Sequence, residues 1–189
     1  MKAAMQAPVT AYVGLGSNLG DRLAALRAGI DRLHALRHTR VTACSPVYET
    51  APWGPVKDQP FFLNAVCEVV TTLDAHTLLE CLLRIEAELG RVRTIPKGPR
   101  TLDLDLLLYG PLVLEEADLT LPHPGLRERA FVLQPLVDIA PLARHPVDGG
   151  LLRDDLQHLG GPPLVLYAGS DVLVPRSSPR VSVGGRPCA

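Results

Sequence analysis

The sequence is poor in aromatic residues and carries almost no net charge. Only 4% of its 189 residues are aromatic, and the formal net charge is −1. This balance gives no global electrostatic argument for a nucleic-acid or membrane-surface ligand, so a phosphate ligand would need a local basic cluster. The composition is otherwise that of an ordinary globular domain, with 47% hydrophobic and 21% charged residues.

Cysteine patterns and long apolar runs are also missing. None of the four cysteines belongs to a C-x-x-C pair, and no cysteine and histidine spacing matches a zinc site. The N-terminus is too short and too weakly apolar for a signal peptide, and no run reaches the length of a membrane helix. We therefore expect a cytoplasmic protein in a reducing compartment, with no nucleic-acid and no membrane partner.

What the sequence does have is a strand pattern with two carboxylates on one face. Apolar and acidic residues alternate after Arg100, as Leu102, Asp103, Leu104, Asp105, Leu106 and, further on, Leu108. Successive strand residues point to opposite faces, so the leucines share one face and Asp103 and Asp105 share the other, with Cα atoms about 6.6 Å apart. Two carboxylates at that distance repel each other unless a cation lies between them.

A basic cluster lies directly upstream of the two aspartates and consists of Arg91, Arg93, Lys97 and Arg100. Cationic side chains bind phosphate oxygens, and carboxylates bind the magnesium that accompanies a polyphosphate. The combination favours a polyphosphate site with its metal. Taken alone, the leucine and aspartate pattern is more typical of a half-buried strand with one solvated face than of a metal site.

The hydrophobic periodicities predict a β-α-β-β-α-β order. The predicted strands cover 11–15, 41–48, 62–72 and 100–108, the predicted helices cover 21–36 and 75–89, and a short strand at 119–121 and a helical segment over 125–139 follow. This order predicts an α+β, ferredoxin-like fold, in which helices pack on an antiparallel sheet. We expect residues 1–9 to be flexible, 10–169 to form the domain and 170–189 to be a disordered tail.

Several single residues allow two interpretations. Gly14, Gly16 and Gly20 are spaced one residue too widely for a dinucleotide-binding fingerprint, and we interpret them as a strand-to-helix turn. Asn64 can bind the polar edge of a heterocycle through its amide, and Phe62 can stack on a flat ring, but core packing is the default for a phenylalanine.

Six ordered motifs carry a resemblance to a known family. They are Gly16-Ser17-Asn18, the run 48–54 (YETAPWG), the run 58–65 (DQPFFLNA), Glu86 with Gly90-Arg91-Val92-Arg93, the run 98–105 (GPRTLDLD), and Pro122-His123 with Arg129, Phe131 and Gln134-Pro135-Leu136. In order and spacing the chain resembles the 6-hydroxymethyl-7,8-dihydropterin pyrophosphokinases of folate biosynthesis. The resemblance spans about Thr10 to Tyr167.

The resemblance implies an ATP-dependent diphosphokinase that transfers a pyrophosphoryl group to the pterin hydroxymethyl group and releases AMP. It implies two Mg²⁺ ions on Asp103 and Asp105, and a catalytic group formed by these aspartates with Arg91, Arg93 and Arg100. The implied ATP contacts are Glu86, Arg91, Arg93, Lys97, Arg100, His123 and Arg129. The implied pterin contacts are Thr50, Ala51, Pro52, Trp53, Phe62, Asn64 and Phe131.

The chain departs from the family pattern before Gly98, where Pro96 and Lys97 replace a frequent arginine and aromatic pair, and at Leu83, where a polar residue is common. Two other functions remain open at this point: a non-catalytic ferredoxin-like nucleotide-binding module and another metal-dependent nucleotidyl transferase. The sequence also leaves open whether the protein is a monomer or a homodimer.

Overall fold

The computed structural model describes residues 7–54, 56, 58–91, 98–160 and 164–175. The strands are Val9–Ser17 (β1), Thr39–Cys44 (β2), Val47–Thr50 (β3), Phe62–Thr71 (β4), Asp103–Tyr109 (β5), Leu114–Glu115 (β6), Thr120–Leu121 (β7) and Val165–Ala168 (β8). The α-helices are Arg22–Ala35 (α1), Ala75–Glu88 (α2), Ala130–Ile139 (α3) and Leu152–His158 (α4), with 3₁₀ turns at Leu126–Glu128 and Ser170–Leu173.

The first two helices begin at the aspartates that the sequence indicates. The Asp21 carboxylate accepts a hydrogen bond from Ala24 N at 3.0 Å, and the Asp74 carboxylate accepts one from Thr77 N at 2.9 Å. Each side chain satisfies a backbone donor that has no partner inside the helix. The chain leaves α2 through Gly90, whose φ of 82° favours glycine.

The main sheet has the strand order β5-β1-β4-β3-β8, with β2 also paired to β4. All its pairs are antiparallel. The predicted ferredoxin-like order is confirmed. The single strand predicted over 41–48 is wrong, because the chain breaks between β2 and β3 at Ser45 and Pro46. Proline has no N–H for a ladder bond, and Ser45 Oγ accepts the hydrogen bond of Val66 N at 2.9 Å.

The two faces of the sheet are covered differently. One face carries the main apolar core beneath α1 and α2, including Leu33, Val69, Leu82 and Leu104. The other face is covered in part by α3, which packs with residues such as Leu107 in a second apolar cluster. The remainder of this second face is a cleft.

The alternation predicted for β5 fails at Leu108. Leu102, Leu104 and Leu106 belong to the main core, whereas Leu108 belongs to the second cluster. The pairing of β5 with β1 shifts register between Tyr12 and Val13, so that one residue of β5 is extra at this point. An extra residue reverses the side-chain alternation that follows it.

The sequence predicts a strand-to-helix turn at Gly14, Gly16 and Gly20, and for Gly14 and Gly16 this prediction is wrong. Gly14 and Gly16 lie inside the strand, which continues to Ser17, and only Gly20 has a left-handed φ, of 64°. β1 therefore crosses the cleft with two residues that carry no side chain.

The C-terminal part of the described chain packs on the domain. Leu173 is 1% exposed, and Cys44 Sγ donates to its carbonyl oxygen at 3.3 Å. The prediction that disorder begins at Ser170 is therefore wrong for 170–173, and residues 176–189 lie outside the described part. Among the described helices, none has the length and apolar character needed to cross a membrane.

Candidate active site

A cleft of about 550 Å³ lies on the part of the sheet that α3 leaves uncovered. Strands β1, β4 and β5 form its floor, α2 forms one wall, and the loops around β7 and the start of α3 form the other. Because the floor consists of antiparallel neighbours, side chains at paired positions of these strands point into the same space.

Asp103 and Asp105 lie on this floor, one residue apart on the edge strand β5. Gly16 of the neighbouring strand pairs with Asp103, and Gly14 pairs with Asp105. Arg91 Nη1 donates to Asp103 Oδ1, and Arg100 Nη2 lies 3.2 Å from Asp103 Oδ2. Two arginines of the basic cluster thus contact one of the two carboxylates.

Glu86 is a buried carboxylate at the C-terminal end of α2, with 2% of its surface exposed. Its Oε1 accepts a hydrogen bond from Leu104 N at 2.7 Å and another from Arg91 Nη1. Among the described strands β5 pairs with β1 alone, so the side of β5 on which Leu104 N meets Glu86 is an edge of the sheet. Glu86 therefore satisfies this edge donor and positions Arg91 over the aspartates.

Asp105 faces His123, whose Nε2 lies 4.0 Å from Asp105 Oδ2. Burial, followed by the nearby Asp103 carboxylate, raises the pKa of Asp105, while His123 and Arg129 act in the opposite direction. Burial lowers the pKa of His123, although Asp105 opposes the shift. Gly125 N donates to His123 Nδ1 at 3.0 Å, which leaves the Nε2 side of the imidazole facing the carboxylate.

The end of the floor formed by β4 has an amide and an aromatic ring. Asn64 Nδ2 donates to Thr50 Oγ1 at 2.7 Å, so the amide orientation is fixed by the adjacent strand β3. The Phe62 ring lies on the same face, and the Arg100 guanidinium is 5.3 Å from its centroid. Arg100 thus contacts both the aromatic and the carboxylate ends of the cleft.

A second aromatic group lies above this end. The rings of Trp53 and Phe131 are 6.4 Å apart at an interplanar angle of 61°. The Arg129 guanidinium is 4.7 Å from the centroid of the Trp53 ring. This cation–π contact and the edge-to-face pair close the cleft over the floor.

The structure brings most of the residues predicted for the site together. Those that line the cleft are Thr50, Ala51, Trp53, Phe62, Asn64, Glu86, Arg91, Arg100, Asp103, Asp105, His123, Arg129 and Phe131. Pro52 is not among the lining residues. Arg93 and Lys97, predicted to contact ATP, lie outside the described residues.

Asn18 supports the site from outside the cleft lining, a role that the sequence did not predict. It is 2% exposed, and its Nδ2 donates to Gln59 Oε1 at 3.0 Å and to Pro60 O at 3.1 Å. Its Oδ1 accepts a hydrogen bond from Arg100 N at 2.8 Å. One buried amide therefore joins the segment before β4 to the segment before β5, a long-range contact that no sequence spacing reveals.

An apolar wall of the cleft was also missed. It is formed by Leu79 and Leu83 of α2 together with Leu119. Leu83 is 41% exposed, although the core-facing leucines of the same helix, Leu78 and Leu82, are fully buried. A second apolar stripe, offset from the core stripe of a helix, is the sequence signal that can reveal such a wall.

Comparison with known proteins identifies the family. The family model for 7,8-dihydro-6-hydroxymethylpterin-pyrophosphokinase matches residues 12–141. A 2-amino-4-hydroxy-6-hydroxymethyldihydropteridine pyrophosphokinase of Methylorubrum extorquens is 50% identical over 131 residues, which are 69% of this chain and 82% of that protein. The chain belongs to this pyrophosphokinase family.

Other pyrophosphokinase relatives are longer. The folic acid synthesis protein fol1 of Schizosaccharomyces pombe is 43% identical over 161 residues, which are 85% of this chain and only 22% of that protein. The chain therefore spans about a fifth of this relative. The crystal structure of wild-type Plasmodium falciparum HPPK-DHPS with pteroate matches 82% of this chain and 43% of its own, with a TM-score of 0.64 and 15% identity. At that identity the likeness concerns the fold.

Proposed function

We propose that this chain transfers the pyrophosphoryl group of ATP to the hydroxymethyl group of 6-hydroxymethyl-7,8-dihydropterin in folate biosynthesis. The products are AMP and the pterin diphosphate. One observation carries the proposal: a single cleft has carboxylates and arginines at one end and an amide with aromatic rings at the other. Membership of the pyrophosphokinase family supports the same reaction.

In this reaction the hydroxymethyl oxygen attacks the β-phosphorus of ATP. The bond from that phosphorus to the oxygen shared with the α-phosphate breaks, and the hydroxyl proton is released. Such transfers need positioning and charge neutralisation more than covalent help from the protein. The cleft residues suit that task, because they are cations, carboxylates and flat rings rather than nucleophiles.

The donor set at Asp103 and Asp105 fits magnesium. Both side chains offer hard oxygen ligands on one face, and the surroundings of Asp105 disfavour its charge unless a cation compensates. We propose two Mg²⁺ ions held by these carboxylates, which would polarise the phosphate oxygens and offset their charge. Arg91 and Arg100, which now contact Asp103, are placed to bind phosphate oxygens beside the metal.

The remaining contacts follow from the geometry of the cleft. Leu79, Leu83 and Leu119 offer the apolar surface that a nucleotide base requires. His123 lies beside Asp105, and Arg129, which contacts the Trp53 ring, also acts on the charge of Asp105. At the other end, Asn64 and Thr50 provide fixed hydrogen-bonding groups for the pterin edge, and Phe62 and Phe131 provide stacking surfaces. From the sequence alone, we assign contacts with ATP to Arg93 and Lys97.

We also propose the cytoplasmic location that the sequence predicts. The described cysteines, Cys44, Cys67 and Cys81, carry free thiols. Free thiols are usual in a reducing compartment.

Product analysis tests the proposed reaction. The protein is incubated with Mg-ATP, with and without 6-hydroxymethyl-7,8-dihydropterin, and adenine nucleotides are separated by chromatography. We expect AMP in amounts that match the pterin consumed, and none without pterin. ADP as the product would indicate an ordinary kinase, AMP without pterin would indicate another nucleotide enzyme, and ATP binding without turnover would indicate a binding module.

A further inference from the structure

Gly16 occupies the point of the cleft floor where the two substrate ends meet. It is paired with Asp103 on one side and with Asn64 on the other, because β1 lies between β5 and β4. Residues at directly paired positions share a face of the sheet. Asp103, Gly16 and Asn64 therefore form a row across the floor, and only the central member lacks a side chain.

The protein itself has room for a small side chain at this position. A Cβ atom on Gly16 would lie 3.4 Å from Asn64 Oδ1, 3.7 Å from the Cβ of Asp103 and 4.0 Å from Phe62 Cδ1. The distance to Asn64 Oδ1 is at the lower limit of ordinary van der Waals contact, and the other two distances lie within the ordinary range. The φ of Gly16 is also outside the left-handed region, so alanine can adopt the same backbone.

The bound substrates leave less space for a side chain at position 16 than the surrounding protein atoms do. The Cα atoms of Asp103 and Asn64 are separated by two strand spacings, about 9.6 Å. In the proposed function the pterin edge is held at Asn64 and the metal-bound phosphates at Asp103, so the acceptor oxygen must reach the phosphorus above Gly16. Reacting atoms must approach to about 3–3.5 Å for transfer.

We propose that Gly16 is a positioning residue that sets the depth of the floor at the transfer point. The inference rests on the proposed function. A methyl group here would be accepted by the protein without ligands, and each substrate would still reach its own end of the cleft. The two reacting groups would be lifted apart, because the methyl fills the gap between Asn64 and Asp103.

A glycine outside the cleft provides a matched control. Gly160 is not among the residues that line the cleft, and a Cβ atom there would lie more than 4 Å from every described atom beyond its chain neighbours. Gly160→Ala therefore makes the same chemical change without filling the gap between Asn64 and Asp103.

The experiment compares the parent, Gly16→Ala and Gly160→Ala in pterin-dependent AMP release, in calorimetry with each substrate alone, and in thermal melting. Misplacement by about one ångström can cost a hundredfold in rate. We expect kcat of Gly16→Ala to fall about 100-fold or more, with the melting temperature kept and the separate affinities changed only a few-fold. Gly160→Ala is expected to keep its turnover.

Three results would overturn the inference: a parental kcat in Gly16→Ala at saturating substrates, an equal loss in Gly160→Ala, or unfolding of Gly16→Ala alone. A parent without pterin-dependent AMP release would overturn the proposed function and, with it, the reason for an open floor. Parental activity that survives in Gly16→Ala contradicts only the role of Gly16.

Discussion

The two faces of the sheet use the same strands for opposite purposes. On β5, Leu104 and Leu106 point into the core beneath α1 and α2, while Asp103 and Asp105, which alternate with them, point into the cleft. On β4, Leu63 and Ala65 are core residues, whereas Phe62 and Asn64 face the cleft. The covered face stabilises the fold, and the uncovered part of the other face is where we propose that the reaction takes place.

The two faces differ because α3 covers only part of the second face. α3 covers the second face only as far as its apolar cluster, and the polar row of Asp103, Gly16 and Asn64 lies beyond it. A site built on strands is held more rigidly than one built on loops. Neighbouring residues of one strand should therefore respond to substitution in different ways.

The largest expected effect separates Asp105 from Leu104. Asp105→Ala should lower turnover about 100-fold or more, through loss of a metal ligand. Its melting temperature should not fall, because burial and Asp103 already disfavour the charge on this side chain. Leu104→Ala should instead cost about 2–5 kcal/mol of unfolding free energy, since Leu104 is 2% exposed.

Turnover at saturating substrates and thermal melting of both variants test this contrast. Near-parental turnover in folded Asp105→Ala would contradict the assignment of the carboxylates. A stable Leu104→Ala would contradict the structural role of the covered face.

Glu86 connects the two faces, so its substitution should affect both properties. Glu86→Ala leaves the buried Leu104 N without its acceptor, at a cost of about 1–3 kcal/mol, and releases Arg91 from its position. Glu86→Gln keeps an acceptor for Leu104 N but loses the charge that holds Arg91. We expect lower activity in both variants and a lower melting temperature mainly in Glu86→Ala. Equal melting temperatures would show that the Leu104 contact contributes little.

A smaller effect is expected within the cleft at Phe131. A ring stack is worth about 0.5–1.5 kcal/mol beyond burial, so Phe131→Ala should weaken pterin binding about 2- to 12-fold. The affinity for a non-hydrolysable ATP analogue should change less. Calorimetry with the pterin alone and with the analogue alone measures the two affinities. Phe61→Ala is the matched control, because Phe61 is 53% exposed and is not among the residues that line the cleft. Equal losses for the two ligands would place Phe131 in the core.

The smallest expected effect is a change in the fluorescence emission of Trp53 when the pterin binds. Trp53 is the only tryptophan of the sequence, and its ring contacts both Phe131 and Arg129. Pterin that binds against Phe131 should change the Trp53 emission, with free tryptophan amide as the control for absorption by the pterin. An unchanged emission, with binding established by calorimetry, would mean that the pterin lies elsewhere.

The sequence could predict the features that depend on local pattern. The helix caps at Asp21 and Asp74, the antiparallel order and the shared face of Asp103 and Asp105 all follow from spacing and propensity. The register shift that moves Leu108 to the second cluster does not, because a bulge leaves no clear mark in the alternation.

Contacts between distant segments were the other features that could not be predicted. The hydrogen bonds of Asn18 connect residues more than 40 positions apart, and only the folded sheet brings these together. Gly14 and Gly16 were interpreted as a turn because glycine usually marks one. In the structure Gly16 leaves the cleft floor without a side chain between Asp103 and Asn64, and Gly14 lies between Asp105 and Val66.

The most direct test of the account is a count of bound metal ions. Mn²⁺ is titrated into the protein with a non-hydrolysable ATP analogue and the pterin, and free Mn²⁺ is followed by electron paramagnetic resonance. The account predicts two protein-bound ions per chain in the parent and in the control Phe61→Ala, and fewer than two in Asp105→Asn. Two ions bound with parental affinity by Asp105→Asn would contradict the claim that the uncovered face is a metal–triphosphate site.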